Sequence, residues 1–139
     1  MPDPITGEGF DAPSPEVAYM GAPDVVHEAA ELMEISNRLQ AEAAEASVRD
    51  EPLDPDEHAG RLYLLRRAAL ADRLSLAHPE VEEFLTDAVQ LSQKLAQYDR
   101  AHGTHAGPIG PDAIEWDPSH RPYVRQEYDR EEMWGTEGG

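Results

Sequence analysis

The sequence predicts an all-α protein. The expected fold is a three-helix up-down-up bundle over residues 24–103, with an extended Pro/Gly-rich N-terminal arm at 1–23. An extended C-terminal tail follows at 104–139, with a short helix over 122–134. Three observations carry this reading. Helix breakers crowd the two ends: residues 1–23 hold five Pro and three Gly and residues 103–139 four Pro and six Gly, whereas 24–102 hold only Pro52, Pro55, Pro79 and Gly60. Proline disrupts a helix interior but suits its first turn, so the middle stretch reads as helices bounded by loops. Apolar residues in that stretch recur at steps of three and four, the helical period, and no alternating β-branched run is available for a sheet.

The first helix is expected from Asp24 to about Arg49. The Asp24 carboxylate can accept from the free N–H groups of the first turn. Val25, Ala29, Leu32, Ser36, Leu39, Ala43 and Ala46 then fall on one side of the helix, flanked by Glu28, Glu31, Glu34, Glu42 and Glu45. The second helix starts at Asp54-Pro55-Asp56-Glu57, with Asp54 as cap, Pro55 in the first helical position and Glu57 as the capping-box acid. It runs to about Ala77 with a broad apolar face of Leu62, Leu65, Ala69, Leu70, Leu74 and Leu76. The third is expected to begin at Pro79, capped weakly by His78, and to end near Gly103, a residue suited to the left-handed position past a helix. Val81, Phe84, Ala88, Leu91, Leu95 and Tyr98 keep its three-four spacing. Many of these core positions are Ala or Ser, which bury little surface each. A core of this kind calls for further burial from other chains or partners.

Charge and composition narrow the function. The chain carries 29 Asp and Glu against 11 Lys and Arg, a net charge of −18. Direct nucleic-acid binding and attraction to an anionic membrane need clustered cations and are not expected. Apolar runs are too short to span a bilayer, and no basic segment leads into an apolar one as in a secretory leader. The expected location is the cytoplasm or a virion-like assembly. With no Cys there is no disulfide framework, thiolate metal site or cysteine nucleophile. Asp99, His102 and His105 form the one D-x-x-H-x-x-H pattern, but Gly103 breaks the helical register between its two His. Asp54 and Asp56 fail a calcium loop, because its sixth position is Ala59 and its twelfth Leu65. No nucleophile elbow or phosphate loop occurs. No cofactor, no metal and no enzymatic activity are expected.

Two residue sets remain. Residues 61–78 form the only net positive segment, at +3, through Arg61, Arg66, Arg67 and Arg73 against Asp72. These Arg are expected to pair with carboxylates of the acidic helices, within the chain or between chains. Six of the nine aromatics lie in the breaker-rich ends: Phe10, Tyr19, Trp116, Tyr123, Tyr128 and Trp134. Large rings are anchors of interfaces and cores alike. They are assigned here to partner binding, with packing onto the chain's own bundle as the competing arrangement. The expected function is a non-enzymatic protein–protein interaction subunit, a structural or accessory component of a larger assembly. Its partner would be a larger protein or identical copies. The alternative is an acidic nucleic-acid mimic that inhibits a basic protein.

Overall fold

The computed structural model describes residues 13–50, 57–113, 116 and 119–138, with backbone alone for 57–59 and 131–138. The chain is mostly helical, and the described residues contain no strand. The helices are α1 (Pro15–Ala18), α2 (Val25–Val48), α3 (Glu57–Ala77), α4 (Glu82–His102) and α5 (Arg121–Gly138).

Capping fixes several boundaries. Asp24 caps α2 by accepting from the His27 N–H at 3.0 Å, and α2 ends at Arg49, followed by Asp50 at φ 55°. The expected cap of α3, Asp54-Pro55-Asp56, lies outside the described residues. Helix α4 starts three residues later than its Pro suggests. His78, Pro79 and Glu80 form a turn closed by the Val81 N–H on the His78 carbonyl, and Val81 is an N-cap with no side-chain cap. At the other end Gly103 takes the left-handed conformation (φ 63°) and donates its N–H to the Asp99 carbonyl at 2.7 Å. A side chain at that φ would be strained, so the Gly sets where α4 stops. The short helix expected over 122–134 is instead an 18-residue helix beginning at Arg121.

The packing order also differs from the three-helix expectation. Helices α3 and α4, joined by a four-residue turn, pair most extensively. Their contacts run in opposite order, Arg61 meeting Asp99 and His78 meeting Phe84. Among the described residues, α2 packs on α3 alone, while α5 packs on α3, α4 and α1. The third member of the core is therefore α5 rather than α2, and the segment expected to be an extended tail forms part of the core.

The core explains why. Leu65, Ala68 and Ala69 of α3 face Leu95 and Ala96 of α4. Alanines let two helices approach closely but fill little volume. The missing volume comes from the C-terminal segment: Trp116, Tyr123, Val124 and Tyr128 complete the same cluster. Trp116 and Tyr123 stack with centroids 5.9 Å apart, and Tyr128 meets Tyr19 edge-on at 5.2 Å. Burial of each ring contributes about 2 kcal/mol, which the small side chains of α3 and α4 cannot supply.

Candidate interaction surface

The six aromatic positions separate into two groups. Phe10 lies outside the described residues, and Trp134 sits on α5 with only its backbone described. Trp116, Tyr123 and Tyr128 are buried, and Tyr19 packs half-buried against them. The Trp116 indole N–H donates to the Gly110 carbonyl at 2.8 Å. These four rings pack in or against the chain's own core.

The four Arg also divide. Arg61 is buried and donates from Nε and Nη2 to Asp99 at 2.7 and 3.0 Å, and from Nη2 to Glu127 at 2.6 Å. Burial works against its charge, but the bonds and charges of Asp99 and Glu127 more than offset that and hold its pKa above the ordinary value. Arg66 ties α2 to α3 through a bidentate bond to Glu28 at 3.0–3.1 Å, plus a bond to Glu31. Arg67 is exposed and lies over the Tyr63 ring at 5.8 Å. Arg73 donates to the Pro23 carbonyl at 2.8 Å rather than to a carboxylate. Internal pairing thus holds for Arg61 and Arg66.

Two buried polar clusters flank α5, and neither was anticipated from sequence. In the first, Asp72 of α3 accepts from Tyr19 Oη (2.6 Å), Arg121 Nε (2.5 Å), Arg125 Nε (2.9 Å) and Arg125 Nη2 (3.0 Å). Burial and the adjacent Asp72 charge push the Tyr19 hydroxyl well above its usual pKa, so it stays protonated and donates to Asp72. In the second, Asp99 accepts from Arg61, Thr104 Oγ1 (2.7 Å) and Tyr123 Oη (2.5 Å). Burial alone would raise the Asp99 pKa, but bonds from Arg61, Tyr123 and Thr104 hold it below the usual carboxylate value. Glu127 accepts from Arg61 and from the Ala106 and Gly107 N–H groups at 2.5 and 2.7 Å, fastening the loop after α4 to α5.

Neither cluster has the form of a reaction site. Both Asp99 oxygens are occupied, His102 packs its ring on Tyr98, and no group of three potential ligands is assembled among the described residues. Arg73 Nη1, Arg121 Nη2 and Arg125 Nη1 are buried and lack an acceptor. The spacing that carried a signal is the repeat on α5: Arg121/Arg125 and Tyr123/Glu127 are each four apart, two polar rows on different sides of one helix.

The open surface lies on the other side of α3. Because α2 rests on α3 and does not reach α4, a groove of about 510 Å³ runs between the three. Ala29, Leu32, Met33 and Ser36 of α2 form one wall, and Phe84, Asp87 and Leu91 of α4 the other. Its floor is Tyr63, Arg67, Leu70, Ala71 and Leu74 of α3. Met33 is 69% exposed and Val26 77%, while Glu28 and Leu32 are the buried residues of α2. From residue 40 to Val48 the helix is exposed at every position except half-buried Ala46. No helix of the described residues is long and apolar enough to cross a membrane. No protein-family model, curated protein or solved structure matches the chain, so no relative lends it a function.

Proposed function

We propose that the protein is a non-enzymatic interaction subunit, an accessory or structural component of a larger assembly, which receives a helix in the groove between α2, α3 and α4. One observation carries this reading: among the described residues a 24-residue helix packs on a single neighbour and leaves an apolar groove beside it. A helix partnered on one side exposes apolar surface that another helix covers through residues spaced three and four apart. Met33, unbranched and polarizable, is suited to the wall of such a groove. The aromatic residues contribute indirectly, by building the core on which α2 and α4 are mounted.

Site-specific photo-crosslinking in the source cell tests the reading. A crosslinker in place of Met33 should capture a discrete species, either another protein or a second copy. The same crosslinker in place of Asp112, an exposed position away from the groove, should capture none. Absence of any adduct at position 33, or the same adducts at both positions, sinks the assignment.

A further inference from the structure

We propose that the buried cluster around Asp72 is an anion-binding site, in which one small inorganic anion takes the unpartnered nitrogens of Arg121 and Arg125. The cluster lies on the α5 side of α3, across from the groove, and is independent of what the groove receives.

Buried charge is out of balance there. Arg121 and Arg125 are 2% and 0% exposed, and Asp72 is fully buried. Among the described residues, Asp72 is the one carboxylate in ion-pair contact with either guanidinium. One negative charge therefore faces two positive ones. A guanidinium holds its proton at any accessible pH, so the surplus is not shed as a buried Lys would shed it. The opposite surplus, Asp99 and Glu127 on Arg61, is centred about 16 Å along α3 from Asp72. Its oxygens are already met by Tyr123, Thr104 and the Ala106 and Gly107 N–H groups.

Hydrogen-bonding capacity is unused at the same place. The Asp72 oxygens are taken by Tyr19 and by three guanidinium nitrogens. Arg121 Nη2 and Arg125 Nη1 are nevertheless buried without an acceptor, as is Arg73 Nη1. Arg73 follows Asp72 on α3 and lies over the Tyr19 ring at 5.9 Å, so three guanidiniums gather about Tyr19 and Asp72. A buried donor left unpaired is costly. A water molecule would supply the missing acceptor but not the missing charge, whereas an anion supplies both.

Field and access favour the same ligand. Arg121 is the first residue of α5, so the positive end of an 18-residue helix lies in the cluster. A cavity of about 560 Å³ borders Tyr19 and Arg73 between α1, the start of α2 and the end of α3. Its walls are otherwise Pro15, Glu16, Val25, Leu76 and Ala77, and Glu16 is exposed. This cavity is the route by which an anion reaches the cluster.

Thermal unfolding of the full chain tests the site. Chloride and phosphate are titrated in separate arms, each at constant ionic strength against a bulky organic sulfonate, so that general screening of the acidic chain stays fixed. At least one of the two anions should raise the midpoint saturably, by about 5 °C at ten times its half-saturating concentration. The arm that responds tells a halide from an oxyanion. Arg121→Met removes the surplus charge and should abolish the rise. Arg100→Met, which removes an exposed Arg paired with Asp112, should keep it. Flat titrations in both arms overturn the proposal, as does a rise of equal size in Arg121→Met. A crystal grown in the responding anion, with bromide standing in for chloride, should show it in hydrogen-bond contact with Arg121 Nη2 or Arg125 Nη1. Water alone at those nitrogens overturns the proposal equally.

Discussion

Asp72 is fully buried, and its two oxygens accept four hydrogen bonds, three of them from two guanidinium groups. Removing its charge leaves two buried cations without a counter-ion, so Asp72→Asn should cost about 3–5 kcal/mol in urea denaturation. Arg121→Met should cost clearly less, because Arg125 and Tyr19 still satisfy Asp72 and an unpartnered nitrogen disappears with the Arg121 side chain. The buried hydroxyls make a separate prediction. Burial first, with the charges of Glu127 and Asp99 and the bond to Asp99, lifts Tyr123 above its usual pKa; burial and Asp72 do the same for Tyr19. A raised folded pKa keeps its full stability below the unfolded value, about 10. Above it the unfolded chain releases protons that the native state retains, and stability falls by about 1.4 kcal/mol per pH unit for each Tyr. Denaturation midpoints at pH 9, 10 and 11 should decline, with a shallower decline in Tyr123→Phe. Asp99 has the opposite sign: its depressed pKa stabilises above the unfolded value, about 3.9, and that contribution is lost as pH falls through the folded one. Of these groups only Arg61 and Arg66 were legible as ion-pairing residues, because a positive segment inside an acidic chain signals pairing. Asp72 and Asp99 carried no signal against 27 other carboxylates, and Glu127 only its four-residue spacing from Tyr123.

At the scale of elements, sequence reasoning succeeded where local chemistry decides. Asp24 begins α2 and Gly103 ends α4 as expected, since a cap and a left-handed residue are local devices. It failed where tertiary contact decides. Periodicity showed that α2, α3 and α4 each have an apolar side, but it does not say which sides meet. The Pro and Gly of the C-terminal segment masked α5, whose apolar side is short (Val124 and Tyr128) and lies between two polar rows. The packing predicts unequal local stability. Helix α2 is held by one neighbour and α4 by two. In hydrogen exchange, amides from residue 40 to Val48 should exchange fastest within the long helices and those around Leu65 and Leu95 slowest. Comparable protection across α2 and α4 in a monomeric sample would contradict this packing.

The whole molecule divides at α3. One side, toward α5, is a completed interior of aromatic rings and satisfied carboxylates; the other, toward α2, is open. A chain truncated after Gly110 loses Trp116, Tyr123, Val124 and Tyr128 together with both Arg on Asp72. It should keep helical far-ultraviolet dichroism but lose cooperative urea unfolding, since α3 and α4 then meet mainly through alanines. A sharp two-state transition in the truncated chain would show that α5 is dispensable. The net charge of −18 takes on a more particular meaning at this scale. Among the described residues, buried Arg61, Arg121 and Arg125 offset Asp72, Asp99 and Glu127, and buried Glu28 is offset by half-buried Arg66, so the excess lies elsewhere.

The two polar rows of α5 also determine which wrong structures are unavailable. If α5 slid one turn so that Glu127 took the place of Tyr123, a carboxylate would face Asp99 where a phenol now donates. One turn the other way, Tyr123 would stand where Glu127 receives the Ala106 and Gly107 amides, and those donors would be stranded. A purely apolar helix could tolerate either shift at little cost, because leucine-like contacts are nearly interchangeable along a groove. Here each misalignment buries like charges together or orphans a backbone group, penalties of several kcal/mol. The rows therefore confine a helix separated from α4 by a long loop to a single setting.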